Sequence, residues 1–307
     1  MSPRGFIVHQ PSACGTARCK GFAKILYARS FGKPELLTLT SIHTFAIGDV
    51  HGRADLLRGL LEGIALRATR RGLAYRIVFL GDIIDRGPDS RQAMNLVSRT
   101  LKAIPSSRLI LGNHDSFILR ILDEKDPGRK QALFLHWIAK MGGGATLASY
   151  GFDFSDVGFD HILDVIDVDH IAMLRTAEKY VELEHHLLVH AGLEPGVPLD
   201  KQDPYKLMWI REPFLSHRGS FGKTVVHGHT KTASMMVERF HARIAVDTGS
   251  YDMGLLSALH ISPRGDERVI QAVAPVANVV TVIDGSVLDR SAAESTRRYS
   301  VGRASHA

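Results

Sequence analysis

From residue 44 onward, short apolar runs alternate with amphipathic stretches in which apolar residues recur at helical spacing. Six runs are too short for helices and predict buried strands: 44–47, 77–80, 109–111, 187–189, 224–226 and 244–246. Between the first three runs, the amphipathic stretches 55–71 and 91–101 predict two helices. Strand–helix–strand alternation indicates a largely parallel sheet covered by helices, so the pattern predicts an α/β fold.

The pattern changes toward the C-terminus. The apolar runs 255–261 and 279–283 come without long helices between them, which favours antiparallel strands, and we assign them to a second sheet. The middle of the chain, about 116–180, predicts mostly helix.

Nearly every predicted strand runs directly into a polar cluster. The clusters are GDVHG (48–52), GDIIDRG (81–87), GNHD (112–115), HAG (190–192), HGH (227–229) and DTG (247–249). In open α/β sheets, ligands bind beyond the carboxyl ends of the strands. We therefore expect these clusters to converge on one site, although they are widely separated in sequence.

The residue types in these clusters favour a metal site. Carboxylates, an amide oxygen and neutral imidazoles suit first-row divalent metals such as Mn, Fe, Co, Ni or Zn. No cysteine takes part, which argues against a structural zinc site. The set holds more ligands than one ion needs, and a carboxylate can bridge two ions. Two metals about 3.5–4 Å apart can activate water and clamp the oxygens of a phosphoryl displacement.

The basic charge of the chain lies at its two ends. The isoelectric point near 9.4 invites a nucleic-acid interpretation. However, residues 1–43 hold six basic residues against one acidic, and residues 286–307 hold four against two, which leaves 44–285 close to neutral. We therefore expect 1–43 to be a disordered basic extension, 44–285 the catalytic domain and 286–307 a disordered tail, with no nucleic-acid partner. Attraction of the ends to an acidic partner is the alternative.

Cysteine content and hydropathy bear on the compartment. The chain has two cysteines, Cys14 and Cys19, which argues against a disulfide framework and favours the cytoplasm. No stretch approaches the roughly 18 uninterrupted apolar residues of a membrane span. Residues 1–43 also lack the apolar core of a secretory signal. We therefore expect no membrane partner.

The succession GDVHG, GDIIDRG, GNHD, HAG and HGHT (227–230) resembles the phosphoprotein phosphatase branch of the metallophosphoesterases. It looks most like the bacterial and phage members, which are related to symmetrical diadenosine tetraphosphate hydrolases. The match covers about residues 48–254, with five motifs in order. The resemblance implies a four-layer sandwich of two mixed β-sheets flanked by helices, with a dinuclear metal site at the strand carboxyl ends.

The resemblance also implies metal ligands at matching positions. These are Asp49, His51, Asp82, Asn113, His190 and His229. Asp82 would bridge two divalent ions. Mn²⁺ is the expected metal, with Fe, Zn, Co or Ni as alternatives. A hydroxide held by the metals would attack the phosphorus.

Four further residues would serve the chemistry. His114 would be the general acid for the leaving oxygen, oriented and kept protonated by Asp85. Arg86 would grip the phosphate oxygens with its planar guanidinium. A second phosphate-binding arginine is expected between the last two metal histidines, and we choose Arg211, in LMWIRE (207–212), over Arg218.

Most of these residues also have a purely structural interpretation, and His114 could be a further metal ligand instead of the acid. The aspartates could cap helices, Asn113 could be a turn residue, and His190 and His229 could be core histidines. Arg86 and Arg211 could be ion-pair partners. The joint presence of five motifs favours the metal site over all of these.

Several neighbouring positions are harder to assign. We expect His227 to pack beside the site and not to bind a metal. Leu111 and Asp115 depart from the commoner residues of the family, as does Arg53, which would contact substrate or point to solvent. None of these departures removes a predicted ligand.

A Gly-rich segment bears on the substrate. Trp137, Gly142, Gly143, Thr146 and the following Ser-Tyr-Gly resemble a pattern of bacterial serine/threonine protein phosphatases, although they could simply form a helix end and turn. We predict a hydrolase of phosphomonoesters, acting on phosphoserine or phosphothreonine in proteins or on a phosphorylated small molecule. The alternative is a symmetrical diadenosine tetraphosphate hydrolase. A non-catalytic module with this fold is disfavoured, because every ligand and the acid are present.

Overall fold

The computed structural model describes residues 6–9, 42–152, 164–276 and 279–291. Its strands are β1 (Phe6–His9), β2 (His43–Ile47), β3 (Tyr75–Phe79), β4 (Arg108–Leu109), β5 (Tyr180–Glu182), β6 (His186–Val189), β7 (Thr224–His227), β8 (Val237–Arg239), β9 (Arg243–Ala245), β10 (Leu255–Ile261), β11 (Glu267–Val276), β12 (Val279–Gly285) and β13 (Val287–Asp289). Its α-helices are α1 (Ala54–Arg71), α2 (Ser90–Ala103), α3 (Asn113–Asp123), α4 (Pro127–His136), α5 (Gly143–Ser149), α6 (Val168–Arg175) and α7 (Pro204–Trp209). A π-turn, Trp137–Met141, joins α4 to α5, and a 3₁₀ turn, Leu199–Lys201, precedes α7.

The strands form two mixed sheets. The first has the order β1-β12-β11-β10-β2-β3-β4, in which β2, β3 and β4 are parallel and β10, β11, β12 and β1 are antiparallel to their neighbours. The second has the order β13-β8-β9-β7-β6-β5, with β6, β7 and β9 parallel. In the second sheet β13 is also parallel to β8, but the strands that lead into the polar clusters are β2, β3, β4, β6, β7 and β9.

Alternating side chains divide the apolar core into layers. In β2, Phe45 and Ile47 pack toward α1, whereas Ala46 packs between the two sheets with Leu188 and Val226. A third cluster, which includes Val189 of β6, covers the outer face of the second sheet. The predicted four-layer α/β sandwich is therefore confirmed.

Helix ends follow local sequence signals. Helix α1 ends at Gly72, whose φ of 60° is left-handed and whose N–H returns to the carbonyls of Ala68 and Thr69. Helix α2 begins after Asp89, whose carboxylate accepts the Gln92 N–H at 3.0 Å. No helix in the described ranges is long and apolar enough to cross a membrane.

The structure corrects the sheet assignment of the C-terminal strands. Strand β10 is antiparallel to β11, as expected, but it pairs directly with β2, with Ala258 opposite Ile47. The predicted strands 255–261 and 279–283 therefore extend the first sheet and do not belong to the second. Periodicity indicates a strand but carries no information about its pairing partner.

The structure also differs from the predicted terminal extensions in two places. Residues 6–9 form β1, which pairs with β12, and residues 287–289 form β13, which pairs with β8. The division into 1–43, 44–285 and 286–307 otherwise stays a prediction, because 1–5, 10–41 and 292–307 lie outside the described residues. Within the stretch 116–180, the described part contains α3 to α6, and 153–163 lie outside it.

Candidate metal centre

The polar clusters converge at one end of the two sheets. The loops after β2, β3 and β4 bring Asp49, His51, Asp82 and Asn113 from the first sheet. The loops after β6 and β7 bring His190 and His229 from the second. These are the six predicted ligands, and all are buried except His229, which is half-buried.

Asp82 lies between two histidines at the centre of this group. Its Oδ2 is 3.6 Å from His51 Nε2, and its Oδ1 is 3.4 Å from His190 Nε2. In the described chain, two three-residue groups have ligand atoms close enough to hold an ion, and both include Asp82: one with His51 and His114, the other with His190 and His229. A carboxylate shared by two donor groups fits a bridging ligand.

Backbone carbonyls orient two of the imidazoles. Nδ1 of His51 lies 3.0 Å from the Ile84 carbonyl, and Nδ1 of His190 lies 2.8 Å from the Leu80 carbonyl. Each Nδ1–H donates to its carbonyl, which leaves Nε2 as the free lone pair. Burial lowers the pKa of both histidines, that of His51 to about 3, so both imidazoles are neutral.

Asn113 and Asp49 complete the arrangement. Oδ1 of Asn113 is 2.9 Å from His190 Nε2 and 2.8 Å from His229 Nδ1, where the three atoms face one space. Asp49 lies on the other side and accepts the backbone N–H of His229 at 3.1 Å, which ties the two sheets together. Neutral imidazoles, carboxylates and an amide oxygen fit two first-row divalent cations.

The charge balance of the site also fits cations. Burial, followed by the charges of Asp247 and Asp82, raises the pKa of Asp49 well above its ordinary value. Burial and the charge of Asp82 raise the pKa of Asp247 to about 6, although the Gly249 N–H bond opposes this. Three carboxylates enclosed at one place repel one another, and divalent cations would relieve that repulsion.

Strained backbone is concentrated in the site. Of the six non-glycine residues with positive φ in the described chain, five are predicted site residues. They are His51, Asp82, Asp85, Arg86 and His229. Such strain persists only where the surroundings impose it, and it marks functional positions.

His114, the predicted acid, lies beside its predicted partner Asp85. It lies in the first turn of α3, and its Nδ1–H donates to Oδ2 of Asp85 over 2.7 Å. Burial by itself lowers the pKa of His114, but the carboxylates of Asp82 and Asp85 outweigh it and raise the pKa above its usual value. The two carboxylates therefore favour the protonated form of the ring.

Arg86 lies beside both histidines of the first group. Its two terminal nitrogens are 3.1 Å from His51 Nε2 and 3.0 Å from His114 Nε2. Its guanidinium carbon lies 4.8 Å from the centre of the Tyr251 ring, within cation–π range. Tyr251 was not predicted from the sequence and forms part of the wall of the site.

A cavity of about 530 Å³ opens over these groups. Its walls include Arg86 and Arg211 together with Asp82, Asn113, His114, His136, Lys140, Met141, Trp209, His229, Lys231, Asp247 and Tyr251. Arg218 lies outside it and donates to the carbonyl of Leu215 at 3.3 Å. This placement agrees with the choice of Arg211 over Arg218, which stays a prediction.

Several neighbouring residues have structural partners. His227 is buried, with Nδ1 3.0 Å from the Gly228 carbonyl, and does not line the cavity. Arg53 pairs with Asp55 and donates to the Ser250 carbonyl at 2.9 Å. The carboxylate of Asp115 accepts the backbone N–H of Ile83 at 2.9 Å and thereby holds the loop that carries Asp82.

Asp247 is the main site residue that sequence reasoning left without a role. It belongs to the DTG cluster at the end of a strand, so a signal was present. Trp209, Lys140 and Lys231 gave no such signal, because nothing in their local sequence indicates which side of the fold they reach.

Comparisons with known proteins agree with this geometry. The chain is 32% identical over 153 residues to a symmetrical bis(5'-nucleosyl)-tetraphosphatase of Methylococcus capsulatus, covering 50% of this chain and 44% of the relative. It is 39% identical over 77 residues to the Coxiella burnetii protein of that name, covering 25% and 24%. The chain thus spans less than half the length of these curated relatives.

A crystal structure provisionally named a diadenosine tetraphosphatase shares the fold. It is 22% identical, with a TM-score of 0.55, and the match covers 78% of this chain and 96% of that chain. The profile of the calcineurin-like phosphoesterases matches residues 42–251, more than half of the chain. The predicted family is confirmed, and the predicted enzyme class, hydrolases of phosphoric ester bonds, is consistent with it: the chain belongs to the calcineurin-like phosphoesterase family.

Proposed function

We propose that this protein is a metal-dependent hydrolase of phosphoric esters that uses two divalent cations, with Mn²⁺ as the preferred metal. The observation that carries the proposal is the position of Asp82, with one oxygen 3.6 Å from His51 and the other 3.4 Å from His190. Asp49 and His51 would hold one cation, and Asn113 and two histidines the other, with Asp82 shared. When bound, the two cations supply an activated water and positive charge for the phosphate oxygens.

The protein's own groups would handle the proton and the anion. His114 would protonate the leaving oxygen from Nε2, because its Nδ1 is already bonded to Asp85. In the absence of substrate, Nε2 accepts from the Arg86 guanidinium over 3.0 Å, so Arg86 would turn from His114 to the phosphate oxygens when the ester binds. Arg211, on the wall of the same cavity, would bind the remaining phosphate oxygens.

For the substrate, we propose a dinucleoside polyphosphate. Lys140 and Lys231 line the cavity in addition to its two arginines. The negative charges of a polyphosphate would pair with these four cationic side chains more completely than a single phosphate would. Trp209 lines the same cavity and stacks on Tyr205 with ring centres 5.8 Å apart, a surface suited to a base. The names of the curated relatives point in the same direction.

Phosphoserine or phosphothreonine in proteins is the second candidate. Its sequence support was the pattern that includes Trp137 and Thr146. Both side chains contact the carboxylate of Asp85, and neither lines the cavity. A contact with Asp85 would serve either substrate, so the pattern no longer favours a protein substrate.

The test is a side-by-side assay of protein stripped of metal and then reconstituted with Mn²⁺. Diadenosine tetraphosphate is compared with phosphoserine, phosphothreonine and phosphotyrosine peptides. We expect metal-dependent cleavage, fastest on the dinucleotide. Faster release of phosphate from the peptides would overturn the substrate proposal, and inactivity with two metals bound on every ester would overturn the hydrolase proposal.

Two arginine variants sharpen the assay. Arg211→Ala should raise KM for the dinucleotide about tenfold, which corresponds to about 1.4 kcal/mol of binding free energy. Arg218→Ala is the matched control from the same segment, outside the cavity, and should leave KM unchanged. Equal KM values for the two variants would show that Arg211 does not bind the phosphates of the substrate.

A further inference from the structure

The Gly-rich segment after α4 packs against the turn that carries Asp85 and Arg86. The π-turn Trp137–Met141 and helix α5 run past this turn, and the Gly142 carbonyl accepts the Arg86 N–H at 3.2 Å. Asp85 and Arg86 both have left-handed backbones, with φ of 74° and 69°. A turn with two consecutive strained residues needs external support, and this segment is placed to provide it.

The carboxylate of Asp85 is completely surrounded by donors. Trp137 donates its indole N–H to both oxygens, at 3.0 Å to Oδ1 and 2.9 Å to Oδ2. The Thr146 hydroxyl donates to Oδ1 at 2.8 Å, and His114 donates to Oδ2 at 2.7 Å. Asp85 and Trp137 are 0% exposed and Thr146 is 1% exposed, so no water replaces these donors.

Thr146 also fixes the backbone of the same residue. Its hydroxyl oxygen accepts the Asp85 N–H at 2.9 Å and lies 3.0 Å from the Ser90 hydroxyl. Because its own proton goes to the carboxylate, the oxygen accepts in these two contacts. One hydroxyl therefore orients both the main chain and the side chain of Asp85.

The glycines allow this close approach. A Cβ at Gly143 would lie 2.3 Å from the ring of Trp137, and a Cβ at Gly142 would lie 2.8 Å from the Arg86 nitrogen. Gly142 also has a φ of 86°. The Trp-Gly-Gly-Thr spacing noted in the sequence thus has one geometric explanation, the contact with the Asp85 turn.

We infer that Trp137 and Thr146 are positioning residues for the general acid: they fix the Asp85 carboxylate, which in turn holds the His114 ring with Nε2 facing the cavity. The inference rests on the proposed function, because it gives His114 the task of protonating the leaving group. Removal of either donor frees the carboxylate to rotate, and the ring follows. Loss of proton donation should then depend on how much the leaving group needs a proton.

Two aryl phosphates of similar shape provide the test. Phenyl phosphate has a basic leaving group that requires protonation, whereas p-nitrophenyl phosphate has one that leaves readily without it. Trp137→Phe removes the indole N–H and should lower kcat on phenyl phosphate about tenfold, while the change on p-nitrophenyl phosphate stays below about twofold. An equal fall on both esters would overturn the inference, because it would indicate a general structural defect.

Two substitutions of Thr146 give a second, milder test. This test does not require that the Trp137→Phe variant folds. Thr146→Val keeps the shape but removes the hydroxyl and should reproduce the selective loss on phenyl phosphate. Thr146→Ser restores the hydroxyl and should recover wild-type ratios. A serine variant as defective as the valine variant would contradict the role given to the hydroxyl.

Tyr150→Phe is the matched control. It also removes one buried hydrogen bond from this part of the chain, between the Tyr150 hydroxyl and His170 Nδ1 at 2.7 Å, but it does not touch Asp85. It should leave the ratio of the two kcat values unchanged, and a selective loss in this variant would overturn the inference. Two metals per chain by elemental analysis are expected throughout. Wild-type protein inactive on both aryl esters and on diadenosine tetraphosphate would instead show that the proposed function itself fails.

Discussion

Oδ1 of Asp82 accepts the backbone N–H of His114 over 2.9 Å, so the proposed bridging ligand also anchors the first turn of the helix that carries the proposed acid. One side chain therefore connects the proposed metal centre to the proposed proton donor. An acid fixed relative to the cations is what an in-line displacement requires, because the leaving oxygen must lie beside both.

Replacing Asp82 by Asn should abolish metal binding and activity together. The amide oxygen can still accept the His114 N–H, so the helix start is retained, but the negative charge between His51 and His190 is lost. Elemental analysis and a phosphoesterase assay measure the two effects. Asp126→Asn, which changes an exposed cap that accepts the Arg129 N–H at 2.7 Å, should retain full metal content. An active, metal-loaded Asp82→Asn protein would exclude the bridging role.

Replacing His114 by Asn should lower turnover by about 10²–10⁴ while two metals remain bound. The reason is that the proposed acid is lost but the six proposed ligands stay. Single-turnover kinetics and metal content on the same sample provide the measurement. Loss of a metal from this variant would show that His114 is a ligand and not the acid.

Asp247→Asn should have opposite effects on the metal-free and metal-loaded protein. In metal-free protein the variant removes a buried carboxylate that repels Asp49 and Asp82, so the free energy of unfolding should rise by about 1–3 kcal/mol near neutral pH. In loaded protein it removes negative charge that favours cations, so metal affinity should fall. Thermal melting in chelator and titration calorimetry measure the two effects.

Asp123→Asn is the control for this pair of effects. Asp123 forms an exposed ion pair with Arg175 away from the cavity. Its loss should change neither quantity by more than about 0.5 kcal/mol, because exposed ion pairs contribute little. A destabilised metal-free Asp247→Asn protein would show that the carboxylate has a structural partner and is not under repulsion.

His260 should make the fold sensitive to acid at a place distant from the metal centre. Its ring stacks on Phe45 with centres 4.4 Å apart, and its Nε2 lies 2.9 Å from His43 Nδ1. Burial, followed by the charge of His43, lowers the pKa of His260 to about 4, below the ordinary value of 6.5. Between these values the unfolded chain binds the proton and the folded chain does not, so stability falls as pH decreases through this window.

The measurement is urea unfolding at pH 7.5 and pH 5 for wild type and His260→Leu. The wild type should lose about 1 kcal/mol more than the variant over this interval, a value reduced to allow for solvent screening. Parallel losses in the two proteins would show that His260 does not titrate differently in the folded state.

The strands and the convergence of their polar ends followed from sequence because each depends on local pattern. Ile47 with GDVHG and Leu111 with GNHD show a buried run that ends in polar residues, and parallel strands bring such ends together. The sheet that contains β10 did not follow, because its pairing with β2 is set by contacts about 200 residues apart. The contact of Trp137 with Asp85 was missed for the same reason. The Gly-rich pattern identified the residues of the segment but not the part of the fold that they contact.

The attachment of Asp49 to the backbone of His229 gives the centre a mechanical consequence. Four proposed ligands come from loops of the first sheet and two from loops of the second. Bound cations would therefore link the two sheets at the end where these loops lie. Neither half of the chain carries a complete ligand set, and a fragment with only one sheet would bind metal weakly. Chelation should therefore loosen the two sheets at this end first, and amide exchange should rise there before the opposite end responds.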